Sequence, residues 1–436
     1  MNNRQKAIDI FLAGLESVKP KNLIDRYVSI KKNKLQIGDD FVDLSLVENI
    51  YVIGGGKASA AMAQALEAIL GKRVVAGQII TKYGHALPLK FIEITEAGHP
   101  IPDENGILGT KGILSIVKKA QKDDLIICLI SGGGSALLTD VPDRCTLEDL
   151  KELNSLLLRT GASIAEINCI RKHLSKVKGG FLSKAAFPAT LVSLILSDVI
   201  GNPLEAIASG PTAPDPTTFA DAISIIDHYN IRDRMPTQLY NVLQDGIDNK
   251  REETLKEGDE MLNRTTNLII GTNILALETA KEKACSFGYI SRIVADKLDS
   301  DIAIVAEYII ENITRNRNST HKKTCLLFGG EPVVEVKGRG LGGRNQHLTL
   351  IMANMLKGLS GVTMMSGGTD GSDGPTDAAG AVVDSETSQK ATLLGLDIEE
   401  YIENCDAYHF FKQEGGLIKT GPTQTNVMDL MVVLIE

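Results

Sequence analysis

The sequence predicts an α/β protein in two parts, and three observations predict it. Short β-rich apolar runs alternate with helix-periodic segments along most of the chain. Two of those runs, around Ile53 and Ile130, break into glycine turns that open helices, the order by which doubly wound proteins bring phosphate or carboxylate to a helix N-terminus. A charged stretch at residues 245–264 (DGIDNKREETLKEGDEMLNR) then reads as an exposed helix or linker. The domain boundary is expected near it, with residues 1–250 as the amino-terminal domain and 251–436 as the carboxy-terminal one. The last residues are expected to pack back on the first domain.

Composition narrows the class. The 436 residues carry 55 acidic against 46 basic side chains, a net charge of −9, so no global basic field exists to hold nucleic acid and an anionic ligand must be held by local groups. Residues 1–18 have helical apolar spacing at Ile8, Ile10, Phe11 and Leu15, without the apolar core and cleavage site of a signal peptide. No apolar run reaches bilayer length, and a soluble cytoplasmic protein is expected. The six cysteines form no CxxC pair, and Cys128 and Cys325 fall inside apolar runs, which predicts buried reduced thiols. No HExxH occurs among the seven histidines.

In chain order, Tyr51, Val52 and Ile53 lead into Gly54, Gly55, Gly56 and Lys57, followed by a small-residue helix. A P-loop would need Gly at position 51 and Ser or Thr at 58, where Tyr51 and Ala58 stand, and the dinucleotide fingerprint fails at Ser59. The next strand ends in Thr81 and Lys82, with no carboxylate to grip a ribose. Lys57 is therefore either an anion ligand or a solvated lysine. After a helix at residues 106–120, LIICLI from Leu125 reads as a strand buried on both faces. It opens into SGGGSALL, where Ser131, Gly132, Gly133, Gly134 and Ser135 offer hydroxyls and amides to an anion, unless the glycines serve only a tight connection. Arg171, Lys172, His173, Lys176 and Lys178 crowd the following segment, where a solvated face is the favoured reading and one of them reaching a ligand the other. The strand at residues 190–196 ends just before Asp198, a candidate base, metal ligand or turn cap.

The second half carries the densest glycine run, VEVKGRGLGGRNQHLTL at residues 334–350. Gly338, Gly340, Gly342 and Gly343 suggest either an anion cradle, with Arg344 as its fixed cation where the helix begins, or a mobile glycine-rich hairpin with a surface arginine. Further on, Asp370, Asp373 and Asp377 lie in a glycine-rich loop and either bind Mg²⁺ or a catalytic proton or form Asx turns. The EF-hand order is missing.

Taken together, GGGKA at Gly54, SGGGSALL at Ser131, EINCIRKHLSKVKGG at Glu166, SDVIGNPLEAIASGPTAPDPTTF at Ser197, GGEPVVEV and GRGLGGRNQ from Gly329, SGGTDGSDGPTDAAGA at Ser366 and TGPTQTNVMDL at Thr420 resemble the glycerate 2-kinases with a MOFRL carboxy-terminal domain. The resemblance implies a Rossmann-like α/β/α amino-terminal domain and a smaller α/β carboxy-terminal domain, with the active site in the cleft between them. It implies transfer of the γ-phosphoryl of ATP, with Mg²⁺, to the 2-hydroxyl of D-glycerate. It points to Lys57, Asp198 and Arg344 as the catalytic set. Gly55, Gly56, the Ser131 to Ser135 turn, Gly342 and Gly343 would hold substrate or phosphate, and Asp370, Asp373 and Asp377 metal or nucleotide. His347 departs from the acidic residue expected of many relatives. An NAD(P)-dependent hydroxypyruvate reductase and a non-enzymatic metabolite-binding protein are the alternative functions.

Overall fold

The structure, a computed structural model, describes residues 2–319 and 322–436. The chain divides into two units, Leu23–Ile270 and, discontinuously, Met1–Asn22 with Gly271–Glu436. This division falls after Ile270 rather than at 250/251. The reason is that the charged run leads into one more strand of the first sheet, anchored where the Leu191 amide donates to the Arg264 carbonyl at 2.9 Å.

In the unit Leu23–Ile270, a short antiparallel meander (β1 Val28–Lys31, β2 Lys34–Ile37, β3 Asp40–Asp43) precedes a six-stranded sheet. Its strands are β4 Ile50–Gly55, β5 Val74–Lys82, β6 Glu93–Ala97, β7 Leu125–Ile130, β8 Thr190–Leu196 and β9 Thr265–Gly271, in the order β6-β5-β4-β7-β8-β9. Pairing from β6 through to β8 is parallel throughout. β7 is buried at every position, as its unbroken apolar run requires. The chain leaves β4 towards β5 and β6, then returns on the other side as β7, so the strand order reverses between β4 and β7. Ligands of open α/β sheets collect beyond the carboxyl ends of strands at such a switch point, and both amino-terminal glycine turns lie there.

A separate helical core covers part of this unit. Helices Leu147–Thr160, Ile164–His173 and Phe219–His228 each begin with a capping box, at Thr146/Asp149, Ser163/Glu166 and Thr218/Asp221. These reciprocal bonds satisfy amides that the first turn of a helix leaves open. Leu153, Leu157, Ile170, Ile226 and Leu243 pack together behind them.

The other unit is a mixed six-stranded sheet of β10 Ile290–Leu298, β11 Thr324–Gly330, β12 Val362–Gly368, β13 Gly380–Asp384, β14 Leu417–Ile418 and β15 Asp429–Ile435, ordered β10-β11-β15-β12-β13-β14. The last strand belongs to this second sheet. β15 is inserted antiparallel between β11 and β12 and is buried along its whole length. It is the first helix, Asn3–Ser17, that crosses the chain's order: it buries Ala7, Ile10, Phe11 and Leu15 and belongs to the unit of β10–β15. Arg4 fixes it there through Asp384 at 2.6 Å and Glu414 at 3.0 Å. All six cysteines are unpaired, and Cys128 and Cys325 are buried. Among the described residues no helix is long and apolar enough to cross a membrane.

Candidate functional site

The two glycine turns of the first sheet are stitched into one wall. The Lys57 amide donates to the Gly132 carbonyl at 2.9 Å, and the Ser131 amide to the Gly55 carbonyl at 3.3 Å. The Ala58 amide donates to Ser131 Oγ at 3.0 Å. Ser131 is buried and its hydroxyl bonds inside this seam, so it holds the turns together. Gly56 has to be glycine, since a Cβ there would come within 2.1 Å of that hydroxyl.

On the outer side of the wall, Asp198 and Lys57 meet consecutive glycines of the second turn. A Cβ at Gly132 would fall 1.8 Å from Asp198 Oδ2, and one at Gly133 would fall 3.3 Å from Lys57 Cγ and 2.8 Å from the His99 ring. The fold thus brings Lys57 after β4, the Gly132–Gly133 turn after β7 and Asp198 after β8 to the carboxyl ends of neighbouring strands. His99, after β6, joins them and escaped the sequence reading. Burial, with the charges of Lys57 and Lys82 and with His85 nearby, pushes its imidazole down to about 4, so it is neutral near pH 7.

Ser135 continues the site. Its hydroxyl lies 2.8 Å from that of Ser209, which donates to Asn168 Oδ1 at 3.1 Å. Ser209 and Ala208 are consecutive non-glycine residues in the left-handed region, at φ 60° and 52°. Such strain persists where the surroundings over-determine the backbone, often beside ligands. Asn168 and Ser209 sit in motifs that carried the family resemblance, but only the folded chain shows that they meet Ser135.

The basic segment is not a solvated face. Lys172, His173 and Lys178 are all buried and only Lys176 is exposed. Lys172 pairs with Asp215 at 2.5 Å in the interior. A count of charges in a window does not reveal which of them a helix turns inward.

In the other unit Arg344 opens the helix Arg344–Met355. Its guanidinium grips Asp429 at two points, Nε to Oδ2 at 2.6 Å and Nη2 to Oδ1 at 3.1 Å, while Nη1 reaches Glu331 at 2.7 Å. Burial alone would lower its pKa, but the Asp429 and Glu331 carboxylates outweigh that and raise it, so the cation is permanent. Neither partner was singled out from the sequence as a ligand of Arg344.

Part of the glycine run before Arg344 is bound within the protein. The amides of Arg339 and Gly340 donate to Asn404, and that of Leu341 donates to Asp406 at 2.8 Å. Gly343 is glycine for packing, since a Cβ would lie 2.3 Å from the Asp373 backbone, and a Cβ at Gly342 would touch Ala407 at 3.5 Å. The helix amides behind Arg344 are also taken. Asp373 accepts from the Asn345 amide at 3.0 Å and the Gln346 amide at 2.8 Å, so an internal carboxylate occupies the helix N-terminus. His347, one turn in, is buried, and burial lowers its pKa.

The acidic trio does not fit a metal. Asp373 spends both oxygens on the helix and on Gln346 Nε2 at 2.9 Å. Asp377 is tied to Tyr408 and Lys419, each at 2.8 Å, and Asp370 accepts from the Ser372 amide at 3.0 Å in an Asx turn. Among the described residues no group of three or more His, Cys, Asp or Glu side chains is arranged to hold a metal ion.

The fold and these motifs define an α/β protein with charged turns beyond parallel strands, and comparison with known proteins places it. The family described as a domain of unknown function (DUF4147) matches residues 6–244, and the MOFRL family matches residues 324–429. The chain is 38% identical to a D-glycerate 2-kinase of Thermotoga maritima over 99% of its own length and 98% of that protein's. It is 41% identical to a putative hydroxypyruvate reductase of Agrobacterium vitis, covering 88% of this chain and 86% of that one. A crystal structure of glycerate kinase from Thermotoga maritima superposes with a TM-score of 0.88 at 37% identity, over 99% of both chains. The chain belongs to the glycerate 2-kinase family with a MOFRL carboxy-terminal domain.

Proposed function

We propose that this protein is a glycerate 2-kinase that transfers the γ-phosphoryl group of ATP to the 2-hydroxyl of D-glycerate, giving 2-phosphoglycerate. One observation carries the reading: a chain similar along its whole length to a D-glycerate 2-kinase sets Lys57 and Asp198 against adjacent glycines of a single turn. Phosphoryl transfer needs positioning and charge neutralisation more than covalent chemistry. Lys57 supplies a cation where the transferred group becomes most negative. Asp198 receives or orients the proton of the attacking hydroxyl. Arg344, which the family resemblance includes in the catalytic set, is held at a fixed angle by Asp429 and Glu331 and keeps further N–H donors. Mg²⁺ enters with the nucleotide as MgATP, in keeping with the commitment of Asp370, Asp373 and Asp377 to internal bonds. A cytoplasmic location is part of the proposal, supported by the unpaired buried thiols.

The reductase reading has the Agrobacterium relative's name in its favour. Against it stand the glycine turn, which lacks the dinucleotide fingerprint, and the end of β5, where Lys82 stands in place of a ribose-binding carboxylate. The test is ADP release on addition of D-glycerate, run beside NADH and NADPH absorbance with hydroxypyruvate. Nicotinamide turnover without ADP release would reverse the assignment.

A further inference from the structure

A cavity of about 710 Å³ lies entirely within the unit Leu23–Ile270. It begins at His99, Gly133 and Ser135, next to the Lys57 turn, and runs back to Arg171 and Lys178. Its volume is in the range of small-molecule sites, and most of its wall is apolar, with Ile101, Leu153 and Leu174 among the contributors.

Two cations face this space without a carboxylate of their own. Lys178 is 5% exposed, and its ammonium donates to the Leu138 carbonyl at 2.5 Å. Arg171 is half-buried, with Nε donating to Asn154 Oδ1 at 2.9 Å. Among the described residues neither forms an ion pair, whereas neighbouring Lys172 has Asp215. The acidic groups at the cavity are otherwise placed. Asp140 accepts from the Ser175 hydroxyl and the Lys176 amide, both at 2.5 Å, while Glu148 and Glu152 are exposed. Burial lowers the pKa of Lys178 to about 8, and the charge of Arg171 opposes its protonation further even though Asp140 favours it. Two like charges removed from water and set near each other disfavour the empty site, and an oxyanion between them relieves both costs.

We propose that Arg171 and Lys178 form an oxyanion-binding subsite that holds a carboxylate or phosphate of one substrate in this cavity, with Ser135 at the end nearest Lys57. The planar fork of Arg171 suits either anion in a two-point contact, and Lys178 supplies a point charge. The inference rests on the kinase reading for the identity of the ligand; the two sources of the anion are D-glycerate and ATP.

The experiment uses the full chain and the variants R171L, R171K and K178M. KM for D-glycerate and for ATP is measured beside calorimetric titration of each substrate alone and a thermal melt. R171L and K178M are expected to raise KM and Kd for one and the same substrate by about tenfold or more, the loss of one charge-assisted contact, with kcat within about threefold. R171K, which keeps the charge but loses the fork, is expected to lie between R171L and wild type, and it carries the test if R171L does not fold. Weakening confined to D-glycerate identifies its carboxylate as the anion, and weakening confined to ATP identifies a phosphate. Folded variants whose KM and Kd for both substrates stay within about twofold of wild type overturn the subsite. Absence of ADP release by the wild-type protein would defeat the kinase reading instead, and the titrations would still report on the subsite.

Discussion

Arg344 and Asp429 are joined at two points, 2.6 and 3.1 Å, although 85 residues separate them in sequence. Asp429 is fully buried at the first position of β15, and Arg344 is one-third exposed at the first turn of its helix. The pair sets the direction of the guanidinium. It also means that removing the arginine has a structural consequence. R344A leaves a buried carboxylate without its partner, which costs about 3–5 kcal/mol in fully buried pairs and less at this partly exposed one.

R344K is therefore the sharper probe. It retains a charge near Asp429 and loses the fork, so the variant is expected to fold. Its kcat is expected to drop on the order of a hundredfold, the loss seen when a group opposing transition-state charge is misplaced. Steady-state kinetics decides: a changed KM at constant kcat would mean that Arg344 binds ground and transition states equally.

Gly132 should tolerate no side chain. In G132A the new methyl would lie 1.8 Å from Asp198 Oδ2, which forces the carboxylate or the turn to move. With the fold intact by circular dichroism, kcat is expected to fall by about tenfold or more, since a displacement near 1 Å can cost up to a hundredfold. Wild-type turnover in a folded G132A would remove Asp198 from the reaction.

Asp373 is a helix cap at the base of Arg344. D373A is expected to lower unfolding free energy by about 1–2 kcal/mol, at the upper end of cap substitutions because the carboxylate is buried and multiply bonded. Urea titration measures this. If instead stability is unchanged and Mg²⁺ binding to the free protein is lost, Asp373 is a metal ligand after all.

His99 gives the protein a stability that depends on acid. Its folded pKa of about 4 lies below the ordinary 6.5, so the folded state prefers the neutral ring. The contribution is complete above about pH 6.5 and is lost as pH falls towards 4. Denaturation midpoints measured across that interval should decline less steeply in H99N than in wild type; parallel curves would exclude the histidine as the cause.

Local pattern made the strands legible. LIICLI announced a strand buried on both faces, whereas the capping boxes at Thr146, Ser163 and Thr218 went unread although each has its acidic residue three positions on. The glycine turns flanking Lys57 and Ser131 were also visible, because they follow strands directly. Tertiary choices were not. The amides of Arg339, Gly340 and Leu341 are taken by Asn404 and Asp406, and Asp373 reaches Asn345 from 28 residues away. Nothing near those positions in sequence states the partner. The same limit hid which of the basic residues between Arg171 and Lys178 turn inward, which depends on tertiary packing, and the insertion of β15 between β11 and β12, which depends on sheet order.

The most direct test is phosphorus NMR of the product formed from ATP and D-glycerate by the wild-type protein and by K57A. 2-Phosphoglycerate and ADP are expected in equal amounts, with the rate reduced by about a hundredfold or more in K57A. Formation of 3-phosphoglycerate, or a K57A variant as fast as wild type, would contradict the proposed reaction.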